Sequence, residues 1–318
     1  MRIALTQLGC IGDAILLTSC FGAIRSRYPD CEIDVVAGEG NYFVFDSHPE
    51  VARVLVYRKS LWGALNFARQ LRRNEYDFYV DPKDHHSSES SIIAKLARAA
   101  VKIGFNRAGG GPFTHQVVSS GENRGKHYVW RLSSALEFAD VHCPPRERPS
   151  IALQKDSVEY ANSFVNSAGK DTLLLNISAG SRDRVWQTEK WAEILSMPAL
   201  GRFDRFVTSA PADSPEARRL CAMVPGLVHY ETRNFHDLVA MISRAKLLLT
   251  PDTAAVHVAS AFNIDMAAVY GGRPDNTAKY YPLMDNFAIA EADEGTDSIS
   301  GVSAEALREA IAKVLGAH

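Results

Sequence analysis

Residues 246–272 read KLLLTPDTAAVHVASAFNIDMAAVYGG, and this stretch decides the fold. Lys246 to Thr250 is a short apolar run of the kind buried in parallel sheets, and Met266 to Tyr270 is another. The residues between them, opening at Pro251 and Asp252, read as a helix. Strand, helix and strand in so short a span form the repeating unit of a parallel α/β sheet. The first turn of such a helix leaves backbone N–H groups unpaired at the positive end of its dipole, where a diphosphate finds donors and favourable charge together. Thr253, Ala254 and Ala255 are small enough to leave that approach open, and His257 follows one turn later on a face able to look toward the same ligand. An ordinary N-capped helix with a satisfied histidine fits the same letters, and the stretch alone does not choose between the two.

The same alternation runs through the chain on both sides of this unit. Arg2 to Leu8 reads as a strand, followed by a helical stripe through Ile15, Leu16, Ser19, Cys20, Ile24 and Tyr28 that only the serine interrupts. Strands are expected at Glu32 to Ala37, Val54 to Tyr57, Phe78 to Asp81 and Val101 to Gly104. Helices are expected at Leu61 to Arg73, Ser88 to Ala99 and His127 to Ala139. HCPPRERPS, residues 142–150, has three prolines and reads as a linker. Beyond it come a helix at Ser157 to Ser167, strand Thr172 to Ile177, helix Glu189 to Ser196 and strand Arg205 to Thr208. Helices at Ser214 to Met223 and Phe235 to Arg244 lead into the 246–270 unit, and a last amphipathic helix spans Ser303 to Leu315. Its apolar face suits packing across the domains or weak membrane contact. The expectation is two doubly wound domains, residues 1–148 and 149–318.

Length agrees, since 318 residues exceed what one core usually organises. A net charge of −2 argues against a general nucleic-acid binder, whose footprint is a strongly basic face, and leaves room for local basic patches. No apolar run approaches the length of a membrane span, and MRIALTQLGCIGDAILL carries glycine and aspartate where a signal peptide would be apolar. The reading is a cytoplasmic chain with at most peripheral membrane contact. Five cysteines without a CxxC spacing fit free thiols better than a disulfide frame or a zinc site.

Ligands of open parallel sheets bind beyond the carboxyl ends of strands, which singles out three loops: Gly9 to Asp13, Ser178 to Trp186 and Thr250 to Ala255. Gly9 and Gly12 allow a tight turn that brings Asp13 to the edge of the sheet, as a general base or simply as a helix-dipole partner. Ser181, Arg182 and Arg184 offer a small residue and two guanidinium forks for phosphate oxygens, or solvated surface charge, with Trp186 behind to pack the loop down. GCIGD lacks the GxGxxG that a dinucleotide oxidoreductase would place after the first strand. Asp81 and Asp84 with His85 and His86 match no standard metal-ligand set, so no metal is expected there. Lys83 and Arg107, in neighbouring loops, are candidates for acceptor phosphates.

Taken together, three segments resemble the ADP-heptose:lipopolysaccharide heptosyltransferase family. IGDAILLTSCFGAIRSRYPDCEIDVV, residues 11–36, is similar to that family's GDxxLTTPxLxALRxxYPxAxIDxL. SAGSRDRVWQTEKWAEIL, residues 178–195, is similar to GAxxxxKRWPxExWAEL, and residues 251–275 are similar to NDTGPMHLAAALGTPxxALFGPTDP. The matches run in order across both halves. The resemblance implies an inverting GT-B glycosyltransferase, with two facing Rossmann-like domains and a ligand cleft between them. It implies that Asp13 is the base and that Arg184 contacts the diphosphate in place of the usual lysine. It also places the diphosphate turn on Asp252, Thr253 and Ala254, with alanine where the family has glycine, and its histidine on His257. Gly271, Gly272 and Asp275 fall on the GPTD loop, with Arg273 set among them.

The implied activity is transfer of a heptose-like sugar from an ADP-linked donor to a saccharide or lipid-linked saccharide acceptor in lipopolysaccharide or related glycan assembly. It needs no cofactor and acts at the inner face of the cytoplasmic membrane. A transferase using another nucleotide sugar and a non-catalytic nucleotide-sugar-binding relative are the alternatives. The retained Asp13 weighs against the second.

Overall fold

The computed structural model describes residues 1–165 and 169–316, and the expected helix end at Ser167 lies outside them. In chain order the first elements are β1 (Arg2–Gln7), α1 (Ile11–Leu17), α2 (Phe21–Arg27), β2 (Glu32–Gly38), β3 (Val51–Tyr57), α3 (Leu61–Arg72), β4 (Glu75–Val80), α4 (Ser88–Leu96), β5 (Arg98–Gly104), β6 (His115–Gln116) and α5 (Tyr128–Leu136). Then follow α6 (Lys155–Asn162), β7 (Thr172–Asn176), α7 (Thr188–Leu195), β8 (Asp204–Ser209), α8 (Ser214–Met223), β9 (Leu227–Glu231) and α9 (Phe235–Ile242). The last are β10 (Leu247–Pro251), α10 (Ala254–Phe262), β11 (Asp265–Tyr270), α11 (Pro274–Lys279), β12 (Phe287–Glu291) and α12 (Ala304–Gly316). Two compact units result: Met1–Ala152 together with Ala278–Tyr280, and Leu153–Thr277 together with Tyr281–His318.

Each unit is built on its own sheet, six strands in each, and every pairing is parallel. The orders are β3-β2-β1-β4-β5-β6 and β12-β11-β10-β7-β8-β9. Counted within its own unit, each follows the 3-2-1-4-5-6 order of a doubly wound Rossmann-like sheet. The central strands are continuous apolar runs because helices cover both faces: TLLLN of β7 and LLLTP of β10 are buried at every position. Strand order reverses at β1/β4 in the first unit and at β7/β10 in the second, so the carboxyl ends of those pairs are the natural ligand positions.

Local chemistry accounts for the departures from the expected elements. The first helix is two, because Thr18 bonds back to the Ile15 carbonyl at 2.6 Å and accepts from the Ser150 amide at 2.9 Å, forcing a 3₁₀ step at Thr18–Cys20. Helix α4 stops at Leu96 with Ala97 as its C-cap, and Arg98 and Ala99, expected to extend it, instead pair along β4. Pro251 closes β10 rather than opening a helix. The Asp252 amide continues the ladder to the Val269 carbonyl at 2.9 Å, and α10 starts only at Ala254 with Thr253 as its N-cap. Helix α12 packs on β11, β12 and α7 of its own unit. Its apolar residues Leu307, Ala310, Ile311 and Val314 join that unit's core, so the face expected to reach across the domains or touch a membrane is already occupied. No helix among the described residues is long and apolar enough to cross a membrane.

Candidate functional site

In the first unit the turn after β1 is held by Asn41, which is fully buried. Its amide donates to the carbonyls of Gln7 at 3.0 Å and Gly9 at 2.9 Å, while its oxygen accepts from the Gly38 amide at 2.9 Å. Gly38 has to be glycine, since a Cβ there would sit 2.8 Å from the Leu8 carbonyl. This fixes Gly12 and Asp13 in the first turn of α1, at the carboxyl end of β1.

Burial pushes the Asp13 carboxyl above its ordinary range. The Lys279 ammonium, hydrogen bonds from Tyr280 and Gln7, and the Arg131 guanidinium pull the other way without cancelling the shift. The Tyr280 and Tyr128 rings stack with centroids 6.3 Å apart, and Tyr128 donates to Gln7 Oε1 at 2.9 Å. Lys279 lies over both rings, 5.6 Å from that of Tyr128 and 4.9 Å from that of Tyr280. A carboxylate so placed accepts a proton more readily than a solvated one and keeps donors that orient it. Nothing local in the sequence marks Gln7, Tyr128, Lys279 or Tyr280 as its partners.

The loop after β4 is anchored by buried polar groups. Asp84 accepts from Arg131 Nη1 at 2.5 Å with both side chains buried, and its carbonyl accepts from Ser120 at 2.8 Å. Asp81 is buried and accepts from the Lys83 amide at 3.1 Å. These bonds engage Asp84 structurally, whereas Asp81 keeps its Oδ2 buried without a hydrogen-bond partner among the described residues. Among the described residues no group of three or more His, Cys, Asp and Glu side chains is gathered to hold a metal ion. Arg107 is exposed in a tight turn closed by the Gly110 amide on its carbonyl at 3.0 Å. Partial desolvation and the Arg107 charge hold His86 below the ordinary imidazole range.

In the second unit the loops after β7 and β10 meet. Arg184 Nη1 lies 3.4 Å from Asp252 Oδ2 and donates to the Asp252 carbonyl at 3.3 Å, and Asn276 donates to the same carboxylate at 3.0 Å. Burial raises the Asp252 pKa, and Arg184 and Asn276 partly offset it. Asn176, at the end of β7, ties the two loops, donating to Thr250 Oγ1 at 3.0 Å and to Thr253 Oγ1 at 3.3 Å. Ser181 caps the 3₁₀ turn that carries Arg182 and Arg184 by accepting from the Asp183 amide at 3.3 Å. Trp186 locks that turn down, burying its ring edge-on to Trp191 at 4.6 Å and donating to the Val302 carbonyl at 3.1 Å.

The remaining sequence candidates divide. Thr253 Oγ1 accepts from the Ala255 amide at 3.3 Å, and the Val256 amide is turned back to the Thr253 carbonyl at 3.1 Å. Ala254 and Ala255 therefore present the helix's first turn, but the Ala255 donor already has a partner. His257 is buried inside α10. Gly271 and Gly272 serve close packing: a Cβ on Gly272 would fall 2.0 Å from the Asp293 carbonyl oxygen, and one on Gly271 would fall 2.7 Å from that of Asp297. Arg273 is exposed and ion-paired with Asp297, and Asp275 lies in the first turn of α11.

Residues 64–299 match the family model described as glycosyltransferase family 9 (heptosyltransferase). The lipopolysaccharide core heptosyltransferase OpsX of Haemophilus influenzae is 23% identical over 302 residues, 91% of this chain and 84% of that one. The solved glycosyl transferase family 9 structure from Veillonella parvula superposes with a TM-score of 0.83 at 19% identity, covering 100% of this chain and 97% of the other. The E. coli heptosyltransferase WaaC with ADP gives 0.77 at 17% identity, covering 98% and 99%. These two structures share the fold, the GT-B arrangement of two Rossmann-like sheets.

Proposed function

The chain belongs to glycosyltransferase family 9, the heptosyltransferases, and on that footing we propose that it moves a heptose-like sugar from an ADP-sugar to a saccharide or lipid-linked saccharide acceptor in lipopolysaccharide or related glycan assembly. The ADP held by one solved relative supports the nucleotide, and the lipopolysaccharide in a curated relative's name supports the acceptor class. Residues 1–148 form the acceptor side and residues 149–318 the donor side. The enzyme works from the inner face of the cytoplasmic membrane as a peripheral protein.

In the proposed reaction an acceptor hydroxyl attacks the anomeric carbon from the face opposite the diphosphate, giving inversion. Its proton passes to Asp13, and the electrons of the breaking C–O bond leave on the diphosphate. General-base help of this kind contributes roughly a hundred- to ten-thousandfold in rate. Arg184 and the first turn of α10, Thr253 to Ala255, take up the charge on the departing oxygen, where one preorganised donor contributes about 3 kcal/mol. Asp252 holds Arg184 in place. Gly12 gives the acceptor room beside Asp13, Lys83 and Arg107 meet acceptor phosphates, and Ser181, Arg182, His257 and the Gly271–Asp275 loop surround the donor.

The observation that carries this reading is the coincidence of chemistry and topology. Asp13 ends the first strand's turn at the β1/β4 reversal, and Arg184 meets Asp252 at the β7/β10 reversal. Equilibrium titration with ADP, UDP, GDP and CDP, each with magnesium and with EDTA, tests it. The expected result is an ADP preference indifferent to the metal. Preference for another base would favour the reading with a different nucleotide sugar, and no binding at all would favour a non-catalytic relative.

A further inference from the structure

Helix α3 carries an anomaly that the site does not use. Its inward face is ordinary, with Phe67 and Leu71 buried in the first unit's core. Its outward face is not: Trp62 is 79% exposed, Leu61 72% and Leu65 43%, and Ile92 on the adjoining α4 is 60% exposed. Single exposed apolar residues need no explanation, but three within two turns of one helix, beside a fourth, do.

Charge on the same segment is one-sided. From Arg58 to Arg73 the sequence holds five cations, Arg58, Lys59, Arg69, Arg72 and Arg73, and no carboxylate. Helical spacing puts Leu61, Leu65, Arg69 and Arg72 on one stripe, with Trp62 and Arg73 along its flank. The outward face is thus apolar in its first half and cationic in its second. Among the described residues, neighbouring acids pair only before the helix begins, Glu39 with Arg58 and Glu89 with Lys59, each at 3.5 Å. Long arginine stems let the charged heads stay in a headgroup layer while Trp62 and the leucines enter the acyl boundary.

We propose that the outward face of α3, with Ile92 beside it, docks the protein on an anionic lipid bilayer. A partner with phosphate-bearing headgroups above an apolar layer complements both halves of the face, which a wholly apolar or wholly acidic partner would not. The proposal gives a surface to the peripheral membrane contact proposed above and rests on that reading, but it does not depend on which sugar or nucleotide the enzyme uses.

Cosedimentation of the full chain with phosphatidylcholine vesicles, with and without phosphatidylglycerol, tests it. The expected result is binding to the anionic vesicles only, weakened by salt. Leu61→Ser/Trp62→Ser should lower the partition coefficient about tenfold or more, and Arg69→Gln/Arg72→Gln should do the same through lost headgroup attraction. Trp62→Phe should keep binding but lose the vesicle-induced blue shift of tryptophan emission. Unchanged ADP titration and thermal melting show that each variant is folded. Undiminished vesicle binding by both double variants would overturn the proposal. So would equal binding to neutral vesicles, or a self-association that Leu61→Ser/Trp62→Ser abolishes while vesicles bind no protein.

Discussion

Arg184 Nη1 lies 3.4 Å from the buried carboxylate of Asp252 and donates to that residue's carbonyl at 3.3 Å. The cation proposed to receive the diphosphate is therefore aimed by a fixed anion, at the point where strand order reverses. Arg184→Ala should weaken ADP binding about ten- to a hundredfold, the range for charge-assisted hydrogen bonds, and leave adenosine binding unchanged. Isothermal titration with both ligands separates the two, and an equal loss for adenosine would mean that Arg184 supports the loop and not the phosphates.

The position of Asp13 predicts opposite effects on activity and stability. Because its pKa is raised in the folded chain, the native state binds more protons than the unfolded one between the ordinary carboxylate range and the raised value. Stability therefore falls as pH rises through that window, and Asp13→Asn should raise the melting temperature at neutral pH but not in acid below the window. Melting both proteins across pH checks the sign.

Tyr280 hydrogen-bonds to Asp13 and favours its ionised form. Tyr280→Phe should move the acidic limb of the kcat/KM profile to higher pH, since the proposed base Asp13 then ionises later. A limb that stays in place while activity drops uniformly would show that the tyrosine only packs.

Gly272 predicts a stability effect. An added Cβ would collide with the Asp293 carbonyl, which is backbone and cannot swing aside. Gly272→Ala should cost about 1–3 kcal/mol or more in urea denaturation. A neutral effect would mean that the 292–297 segment yields.

Much of this was legible in the letters, for identifiable reasons. LLLT of β10 and TLLLN of β7 are central strands buried on both faces, and their apolar runs announce them. The strands the sequence reading missed, β6, β9 and β12, are all sheet edges. LVHYE of β9 is buried only at Leu227 and Tyr230, three residues apart and so without a strand's period of two, and FAIAE of β12 is half-covered. The break between α1 and α2 rests on a bond from Ser150 to Thr18, 132 residues away. The site divides in the same way. Asp13, Arg184 and Asp252 sit in loops that topology marks, whereas Tyr280 and Lys279 reach Asp13 from the far end of the sequence, where no spacing reveals them.

The most direct measurement is ADP release from an ADP-heptose in the presence of heptose-deficient lipopolysaccharide, with the wild-type protein and Asp13→Asn run side by side and ADP affinity determined for both. The reaction proposed above requires release by the wild type that depends on the acceptor, and its loss in Asp13→Asn by about a hundredfold or more with ADP binding intact. Release at an undiminished rate by Asp13→Asn, or a wild-type protein that binds ADP yet transfers nothing to this acceptor, would contradict it.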